Sequence, residues 1–234
     1  MPPLPTELWH EYPDLVLRPN ERTPYPTGND TARLIDLMSG RRKVRQGECL
    51  YRKGESFQYI YAIHSGSFKS TLALTDGCEQ ISNFHMTGEL LGLDGVAEGL
   101  HASSGTALED SEVSTVSYAY VGELCAAAGD MQSTMMRLIG REVVRSYSHV
   151  VVLGSLNSAQ RLAAFLLNQS QRLHARGYSA VEFHLKMTRG EIGSYLSLTL
   201  ETVSRTFTEL QLQRLVKVDR RHITITCLDG LARV

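Results

Sequence analysis

Four polar side chains near the C-terminal end of the chain have the spacing of one helix face. Glu201, Ser204, Arg205 and Glu209 follow the i, i+3, i+4, i+8 rule. An arginine can donate two hydrogen bonds to guanine O6 and N7, a carboxylate can accept from cytosine N4, and a serine hydroxyl can meet a thymine methyl or a base edge. The pattern also fits a solvated helix face, but these residue types are those that read bases in a DNA major groove.

Two short helices separated by a tight turn would hold these side chains. Thr188 and Glu191 have the spacing of a capping box, which predicts a helix over residues 190–196. Residues 197–198 supply the turn, and Thr199 can cap a second helix that begins directly after it. The apolar side chains that would lock the two helices together are Ile192, Leu196, Leu198 and Val203, and Gly193 would leave room for the second helix. This pattern predicts a helix-turn-helix.

Further side chains beside the predicted base-reading face suit the DNA backbone. Those near helix starts, where hydroxyls and amides meet phosphates, are Thr188, Arg189, Thr199 and Thr202. Residues 215–218 and 222–226 alternate as two strands, joined by a turn that holds Arg220 and Arg221. A basic hairpin after a helix-turn-helix predicts a wing that contacts phosphates.

Charge is unevenly distributed along the chain. Residues 158–234 hold 11 Lys and Arg against 6 Asp and Glu, whereas the preceding 157 residues hold 13 against 19. The C-terminal third therefore carries +5 and the remainder −6, although the whole chain has a net charge of only −1. A basic segment on an acidic body favours docking of a polyanion on that segment.

Residues 131–157 contain no proline and predict one long helix. Side chains recur along it at intervals of three and four, as in a coiled-coil seam: Met136, Ile139, Val143, Ser146, Val150, Leu153 and Asn157. The narrow stripe with charged flanks favours a dimer seam. A core helix packed on its own domain is the alternative. Ser146 carries no charge that would repel a partner helix.

The rest of the chain has two regions. Residues 1–30 contain the prolines and predict an irregular arm. Residues 31–129 carry glycine turns between short alternating segments, such as 59–63 and 68–74, which predict an antiparallel barrel or roll. The expected fold is therefore α+β: an N-terminal antiparallel β-roll, a long dimerisation helix at 130–157, and a winged helix-turn-helix at 158–234.

The sequence offers no other chemistry of comparable specificity. The four cysteines, Cys49, Cys78, Cys125 and Cys227, show no C-x-x-C spacing, and we expect free thiols. No pair of histidines has zinc-ligand spacing, and no nucleophile-elbow or phosphate-loop motif occurs. We expect neither an enzyme nor a bound cofactor. No apolar run is long enough to span a membrane and no signal peptide is visible, so we expect a cytoplasmic protein without a membrane partner.

The residues from 187 onward resemble the DNA-binding signature of FNR, a regulator of the cyclic-AMP receptor superfamily. The matching stretches are Met187-Thr188-Arg189-Gly190-Glu191-Ile192-Gly193 and Leu200-Glu201-Thr202-Val203-Ser204-Arg205. The resemblance continues upstream and covers about residues 40–230. It includes residues 61–70, 79–81, 88–94 and 161–166.

The resemblance implies a cyclic-nucleotide-binding-like β-roll, a dimerisation helix and a winged helix-turn-helix. It also implies a homodimer that binds a palindrome of the TTGAT-N4-ATCAA type and acts through RNA polymerase, with Glu201, Ser204 and Arg205 in base-reading positions. Two-fold symmetry fits the predicted seam, because a dimer places its reading helices one DNA turn apart. The loops at 75–79 and 177–180 lie where the family has activating surfaces.

Three departures from the FNR pattern concern the signal. Residues 1–40 hold no cysteine, and Ser114 stands where the family has its internal cluster ligand, so we expect no [4Fe–4S] centre. Gly88-Glu89-Leu90 resembles the cyclic-AMP receptor, but residues 101–105 lack the arginine that holds the cyclic phosphate there. Ser146 replaces an acidic seam residue, which predicts a dimer that forms without an effector. The alternative is a regulator whose β-roll binds an unidentified small molecule or haem.

Overall fold

The computed structural model describes residues 34–74, 77–127 and 129–234. The predicted arm at 1–30 lies outside these residues. Among the described residues the chain forms two compact units, one of residues 34–141 and one of residues 142–234.

The first unit is a roll of antiparallel strands, as the glycine spacing predicts. Its strands are β1 (Ser39–Val44), β2 (Cys49–Tyr51), β3 (Tyr59–Ser65), β4 (Ser67–Ala73), β5 (Glu79–Met86), β6 (Leu90–Leu91), β7 (Ser104–Ala107) and β8 (Ser111–Ser117). They form two four-stranded sheets, ordered β1-β8-β3-β6 and β2-β7-β4-β5. Gly66 makes the turn between β3 and β4 with φ +91°, and a Cβ there would lie 2.0 Å from Ser111 Oγ. Only glycine fits this turn.

Apolar side chains from both sheets fill the roll. One cluster contains Tyr51, Tyr61, Phe68 and Val113. A second cluster packs Ile60 and its neighbours against helix α1 (Tyr118–Ala127). Successive side chains of a strand point to opposite faces, so Tyr61 of β3 joins the first cluster and Ile60 the second, and both faces of β3 are buried.

Helix α2 (Gly129–Ser155) follows α1 and is 27 residues long. It ends before Asn157, which the sequence pattern placed on the seam. Asn157 instead caps the next helix, α3 (Ser158–His174), because its side chain accepts from the Gln160 amide while the Gln160 side chain accepts from the Asn157 amide, both at 3.1 Å. The prediction for Asn157 was therefore wrong, and the reason is a capping box at the start of α3.

The second unit continues with a helix-turn-helix and a small sheet. Its elements after α3 are β9 (Glu182–His184), α4 (Arg189–Leu196), α5 (Leu200–Leu212), β10 (Val216–Asp219), β11 (His222–Ile225) and α6 (Leu228–Leu231). Gly177 has φ +83° and ends α3, with the Tyr178 amide donating to the Leu173 carbonyl at 3.1 Å. The three strands form one antiparallel sheet, ordered β10-β11-β9.

Candidate DNA-binding surface

The first helix of the pair, α4, begins at the predicted capping box. Thr188 Oγ1 accepts from the Glu191 amide at 3.1 Å, and Glu191 Oε2 accepts from the Thr188 amide at 2.7 Å. The Thr188 hydroxyl also donates to the same carboxylate at 2.9 Å. The Thr188 hydroxyl already donates its proton to Glu191. It can therefore help to bind a DNA phosphate only by orienting the backbone amides at the start of α4.

The turn between the helices is tight at two residues. Ser197 adopts the left-handed conformation with φ 53°, and the Leu198 amide donates to the Gly193 carbonyl at 2.9 Å. A Cβ on Gly193 would lie 2.6 Å from the Leu198 carbonyl oxygen. We expected Gly193 to make room for the second helix. It makes room for the turn instead, since the chain reverses directly over it.

The second helix, α5, has one buried and one exposed face. Thr199 caps it by accepting from the Thr202 amide at 3.1 Å. The buried face consists of Val203, Thr206, Phe207 and Leu210. The exposed side chains are Leu200, Glu201, Ser204, Arg205, Thr208, Glu209, Gln211 and Leu212. All four residues of the predicted face, Glu201, Ser204, Arg205 and Glu209, are therefore exposed to solvent.

Arg205 is held only loosely by its own helix. Its side chain is 70% exposed, and its Nε lies 3.6 Å from Glu209 Oε1 one turn further along α5. An exposed i, i+4 pair of this kind stabilises a helix by only about 0.3–0.5 kcal/mol. The guanidinium can therefore leave Glu209 for a stronger bidentate acceptor, such as a guanine edge.

Arg189 has a second role that the sequence pattern did not indicate. Its guanidinium packs on the Phe207 ring at 3.4 Å from the centroid, and its Nη2 donates to the Arg220 carbonyl at 3.2 Å. Burial lowers the pKa of Arg189. The side chain therefore joins α4, α5 and the turn between β10 and β11. These contacts connect positions 18 and 31 residues apart, which no local motif reveals.

The predicted wing forms as an antiparallel hairpin, β10 with β11. Arg220 occupies the left-handed region with φ 55° at its turn. Gln211 Oε1 on α5 accepts from the Val218 amide at 3.0 Å, and Arg221 Nη1 donates to the Lys186 carbonyl at 3.2 Å. The wing is therefore fixed relative to α5 and to the segment that precedes α4.

Arg161 joins the end of α2 to the end of α4 within the second unit. Its Nη2 and Nε donate to the carbonyls of Leu153 and Leu156, at 2.6 and 2.9 Å. Its Nη1 donates to the Leu196 carbonyl at 3.0 Å. A cation beside C-terminal carbonyls satisfies acceptors that the helix leaves unpaired. The sequence placed Arg161 in the basic segment and in the 161–166 stretch that resembles the family, but indicated none of these contacts.

A ring stack lies between the same two helices. The imidazole of His149 on α2 stacks on Tyr195 of α4, with centroids 4.1 Å apart and an interplanar angle of 14°. Burial lowers the pKa of His149, partly offset by a hydrogen bond to the Tyr195 backbone. Burial therefore favours the neutral imidazole.

Helix α2 exposes much of its predicted seam. Met136, Val143, Ser146 and Val150 are exposed, whereas Ile139 and Leu153 are half-buried. Met136 and Val150 are 62% and 65% exposed. Tyr147, which the pattern did not single out, is 69% exposed and lies one turn from both Val143 and Val150.

Ser114 holds a buried position in β8. Its Oγ lies 2.8 Å from His64 Nε2 and 3.4 Å from Met38 Sδ, and the residue is 3% exposed. No disulfide joins the four cysteines, all of which lie in the described ranges. Within those ranges, no three His, Cys, Asp or Glu side chains group as a metal site, and no helix is long and apolar enough to cross a membrane.

Comparison with known proteins decides the family. The profile of the Crp-like helix-turn-helix domain matches residues 160–234, and that of the cyclic nucleotide-binding domain matches residues 41–128. The chain is 41% identical over 206 residues to the transcriptional regulatory protein btr of Bordetella pertussis, which covers 88% of this chain and 85% of that protein. The chain belongs to the CRP/FNR family of transcription regulators.

Two further similarities agree with membership in the CRP/FNR family. The fumarate and nitrate reduction regulatory protein of Escherichia coli (strain K12) is 36% identical over 201 residues, covering 86% of this chain and 80% of that protein. The structure of FixK2 from Bradyrhizobium japonicum superposes with a TM-score of 0.78 at 28% identity, covering 83% and 96% of the two chains. The expected α+β architecture and the DNA-binding helix-turn-helix are thereby confirmed, and the relatives are regulators rather than enzymes.

Proposed function

We propose that this CRP/FNR-family regulator binds as a homodimer to a palindrome of the TTGAT-N4-ATCAA type, with α5 in the major groove. The exposed face of α5 carries the proposal, because Arg205, Glu201 and Ser204 stand clear of the protein on a helix capped at Thr199. Arg205 would donate to guanine, Glu201 would accept from cytosine, and Ser204 would meet a thymine methyl or a base edge.

The backbone contacts that we propose surround this face. Thr188 and Thr199 cap α4 and α5, and Thr202 lies in the first turn of α5, so all three are at helix N-termini, where phosphates bind. Arg189 adds a positive charge at the start of α4. These contacts would set the register of the reading helix on the duplex rather than its sequence preference.

The domain roles follow the sequence division. Residues 31–129 form the sensor-like roll, 130–157 the dimerisation segment, whose helix α2 ends at Ser155, and 158–234 the DNA-binding domain, with residues 1–30 as an N-terminal arm. The exposed apolar seam supports a homodimer. Met136, Val143 and Val150 leave apolar surface in water that a second copy of the helix would cover, together with Ile139, Ser146 and Leu153.

The dimer needs no effector in this proposal. Ser146 Oγ donates to the Glu142 carbonyl of its own helix at 2.9 Å, so it enters the seam without a charge or an unmet proton. An acidic residue there would have to be desolvated opposite its symmetry mate, at a cost of several kcal/mol. An iron–sulfur cluster is not part of the proposal, because residues 1–40 lack cysteine and Ser114 offers a hydroxyl held between His64 and Met38.

RNA polymerase is the proposed second macromolecular partner, contacted in the cytoplasm. The loop at 177–180 supports this, since Tyr178 is exposed beside the end of α3. The other loop, at 75–79, is described only at Gly77, Cys78 and Glu79, which are exposed. Exposed loops are the segments of a protein that most often carry contacts with a partner.

Fluorescence anisotropy on aerobically purified protein tests the DNA assignment. The TTGAT-N4-ATCAA duplex and a scrambled duplex of equal length are titrated at the same salt. We expect the palindrome to bind at least about 100-fold more tightly than the scrambled duplex without any added effector. Equal affinity for both duplexes would contradict the proposed site.

Sedimentation equilibrium at micromolar concentration tests the effector-free dimer. A dimer in the absence of added ligand is expected. A monomer that becomes a dimer only with a co-purifying or added compound would overturn this part of the proposal and favour the effector-dependent alternative.

A further inference from the structure

The interior of the β-roll is filled by an aromatic side chain of the chain itself. Tyr51 on β2 is 3% exposed and stacks between Tyr61, with centroids 5.8 Å apart, and His101, with centroids 4.0 Å apart. Gly105 on β7 lies under the ring, where a Cβ would be 2.7 Å from Tyr51 Cε1. At these ring distances no second planar group fits between Tyr51 and either partner ring.

The polar end of the same side chain lies among polar groups. The Tyr51 hydroxyl is within reach of the side chains of Ser70 and Ser103 and of the Gly92 backbone. Ser70 Oγ also lies 2.9 Å from His85 Nε2. Burial raises the pKa of Tyr51, which keeps the phenol neutral and able to donate.

The polar groups of this region that could bind an anionic ligand already contact the carboxylate of Asp94. Asp94 accepts from the Ser103 amide at 2.8 Å and from its hydroxyl at 2.9 Å, and it lies 3.3 Å from His101 Nδ1. A cyclic phosphate placed here would face Asp94 instead of a guanidinium. The sequence between Lys69 and Arg137 contains no Lys or Arg, so this part of the roll supplies no cation.

We infer that Tyr51 takes the place of a bound effector in this roll: its ring occupies the interior, its hydroxyl uses the polar groups, and the protein binds no cyclic nucleotide. The family's nucleotide-binding profile thus describes the fold of residues 41–128 while the residues inside do not fit the ligand. This inference does not depend on the DNA site, and its tests use no DNA.

Cyclic AMP and cyclic GMP are the direct probes. Each is added to the full-length protein at about 1 mM, and thermal unfolding and titration calorimetry are recorded. No change in Tm and no saturable heat are expected. A rise in Tm of about 2 °C or more, saturating with nucleotide, would overturn the inference.

Removal of the Tyr51 side chain tests its role as an occupant. Tyr51→Ala should lower Tm, and p-cresol, which has the shape of the lost side chain, should restore part of it. Toluene should restore less, because only p-cresol can bond with Ser70 and Ser103. Phe84→Ala is the matched control: this ring is also buried in the roll, 2% exposed, but has no hydroxyl to replace, so p-cresol should show no advantage over toluene. An equal response of Tyr51→Ala to both compounds would contradict the inference.

Tyr51→Phe keeps the ring and provides a test if the alanine variant does not fold. It removes only the hydroxyl, so Ser70 and Ser103 lose a buried partner and Tm should fall by several degrees. It should also remain unresponsive to cyclic nucleotides, because the ring still fills the interior. A Tyr51→Phe protein as stable as the unaltered chain would show that the hydroxyl does not occupy a ligand's polar site.

Discussion

The guanidinium of Arg189 packs against the Phe207 ring, with 3.4 Å between its central carbon and the ring centroid, while Nη2 donates to the Arg220 carbonyl. One side chain at the start of the first helix thus orients both the reading helix and the wing. Arg189 therefore has two separate contributions: it positions α5 and the wing, and it carries a positive charge.

Substitutions at Arg189 can distinguish these two roles. Arg189→Lys keeps the charge but loses the planar stack and the wing contact, so DNA affinity should fall about tenfold, equivalent to roughly 1.4 kcal/mol, with an unchanged salt dependence. Arg189→Gln should additionally reduce the slope of log K against log salt by about 1. Anisotropy titrations over a range of salt concentrations measure both. An unaltered affinity for Arg189→Lys would show that the Phe207 contact does not position the helix.

Arg205 should account for the preference at one guanine. Arg205→Ala is expected to cost about 1–3 kcal/mol on the palindrome and to make all four bases nearly equivalent at that position. Thr208→Ala is the matched control, because Thr208 is exposed on the same helix but bonds to the Ser204 carbonyl of its own helix. Competition binding with single-base variants of the duplex gives the comparison. An equal loss on palindromic and scrambled DNA would assign Arg205 to the backbone instead.

A charge on the seam should separate the two subunits. Val150→Glu would bury a carboxylate opposite its symmetry mate, so the dimer should dissociate at micromolar concentration and specific DNA binding should fall with it. Val144→Glu makes the same change at another exposed valine that lies about 120° further round the helix, and it should remain dimeric. Sedimentation velocity measures both. A dimeric Val150→Glu protein would place the interface on a different face.

The hydroxyl of Thr206 offers a test of the packing behind the reading helix. Thr206 is fully buried on α5, and its Oγ1 has no hydrogen-bond partner among the described residues. Thr206→Val should therefore raise the free energy of unfolding by about 1 kcal/mol, since the desolvated hydroxyl is removed without loss of volume. Urea denaturation measures the change, with Thr208→Val at an exposed position as the control that should gain nothing. A loss of stability in Thr206→Val would indicate an acceptor for this hydroxyl.

His149 should make stability depend on pH. Burial lowers the pKa of its imidazole in the folded protein, so as pH falls below about 6.5 the unfolded chain takes up a proton that the folded chain resists. The contribution of the neutral ring is present above that pH and is lost as pH falls towards the lowered value. His149→Phe keeps a ring on Tyr195 without the proton and should lose less stability between pH 7.5 and 5.5. Urea midpoints at the two pH values give the comparison, and equal losses would exclude this role for His149.

Local signals in the sequence were sufficient for the helix starts and the turn. Thr188 with Glu191, and Thr199 with Thr202, are read within four residues, and both caps form as expected. Asn157 with Gln160 is a signal of the same kind, but the three-and-four repeat of the preceding helix extended across it and concealed it.

Contacts between distant positions could not be predicted in the same way. Arg161 meets the Leu196 carbonyl 35 residues away, and its type and spacing only indicate a surface charge. Tyr51 and His101 stack across 50 residues, because β2 and the segment before β7 meet only when the roll closes. Such contacts depend on strand order and helix packing. The apolar–polar alternation and the glycine spacing of the sequence do not determine either of them.

Helices α3, α4 and α5 each begin directly after a side-chain cap, Asn157, Thr188 or Thr199. The residues that start these helices therefore all belong to the DNA-binding segment itself. A segment with this property can be inherited as one piece, and selection can join it to a different sensor without rewriting it. A filled roll, as in this chain, and a roll that responds to a nucleotide could then evolve with the same type of DNA-binding domain.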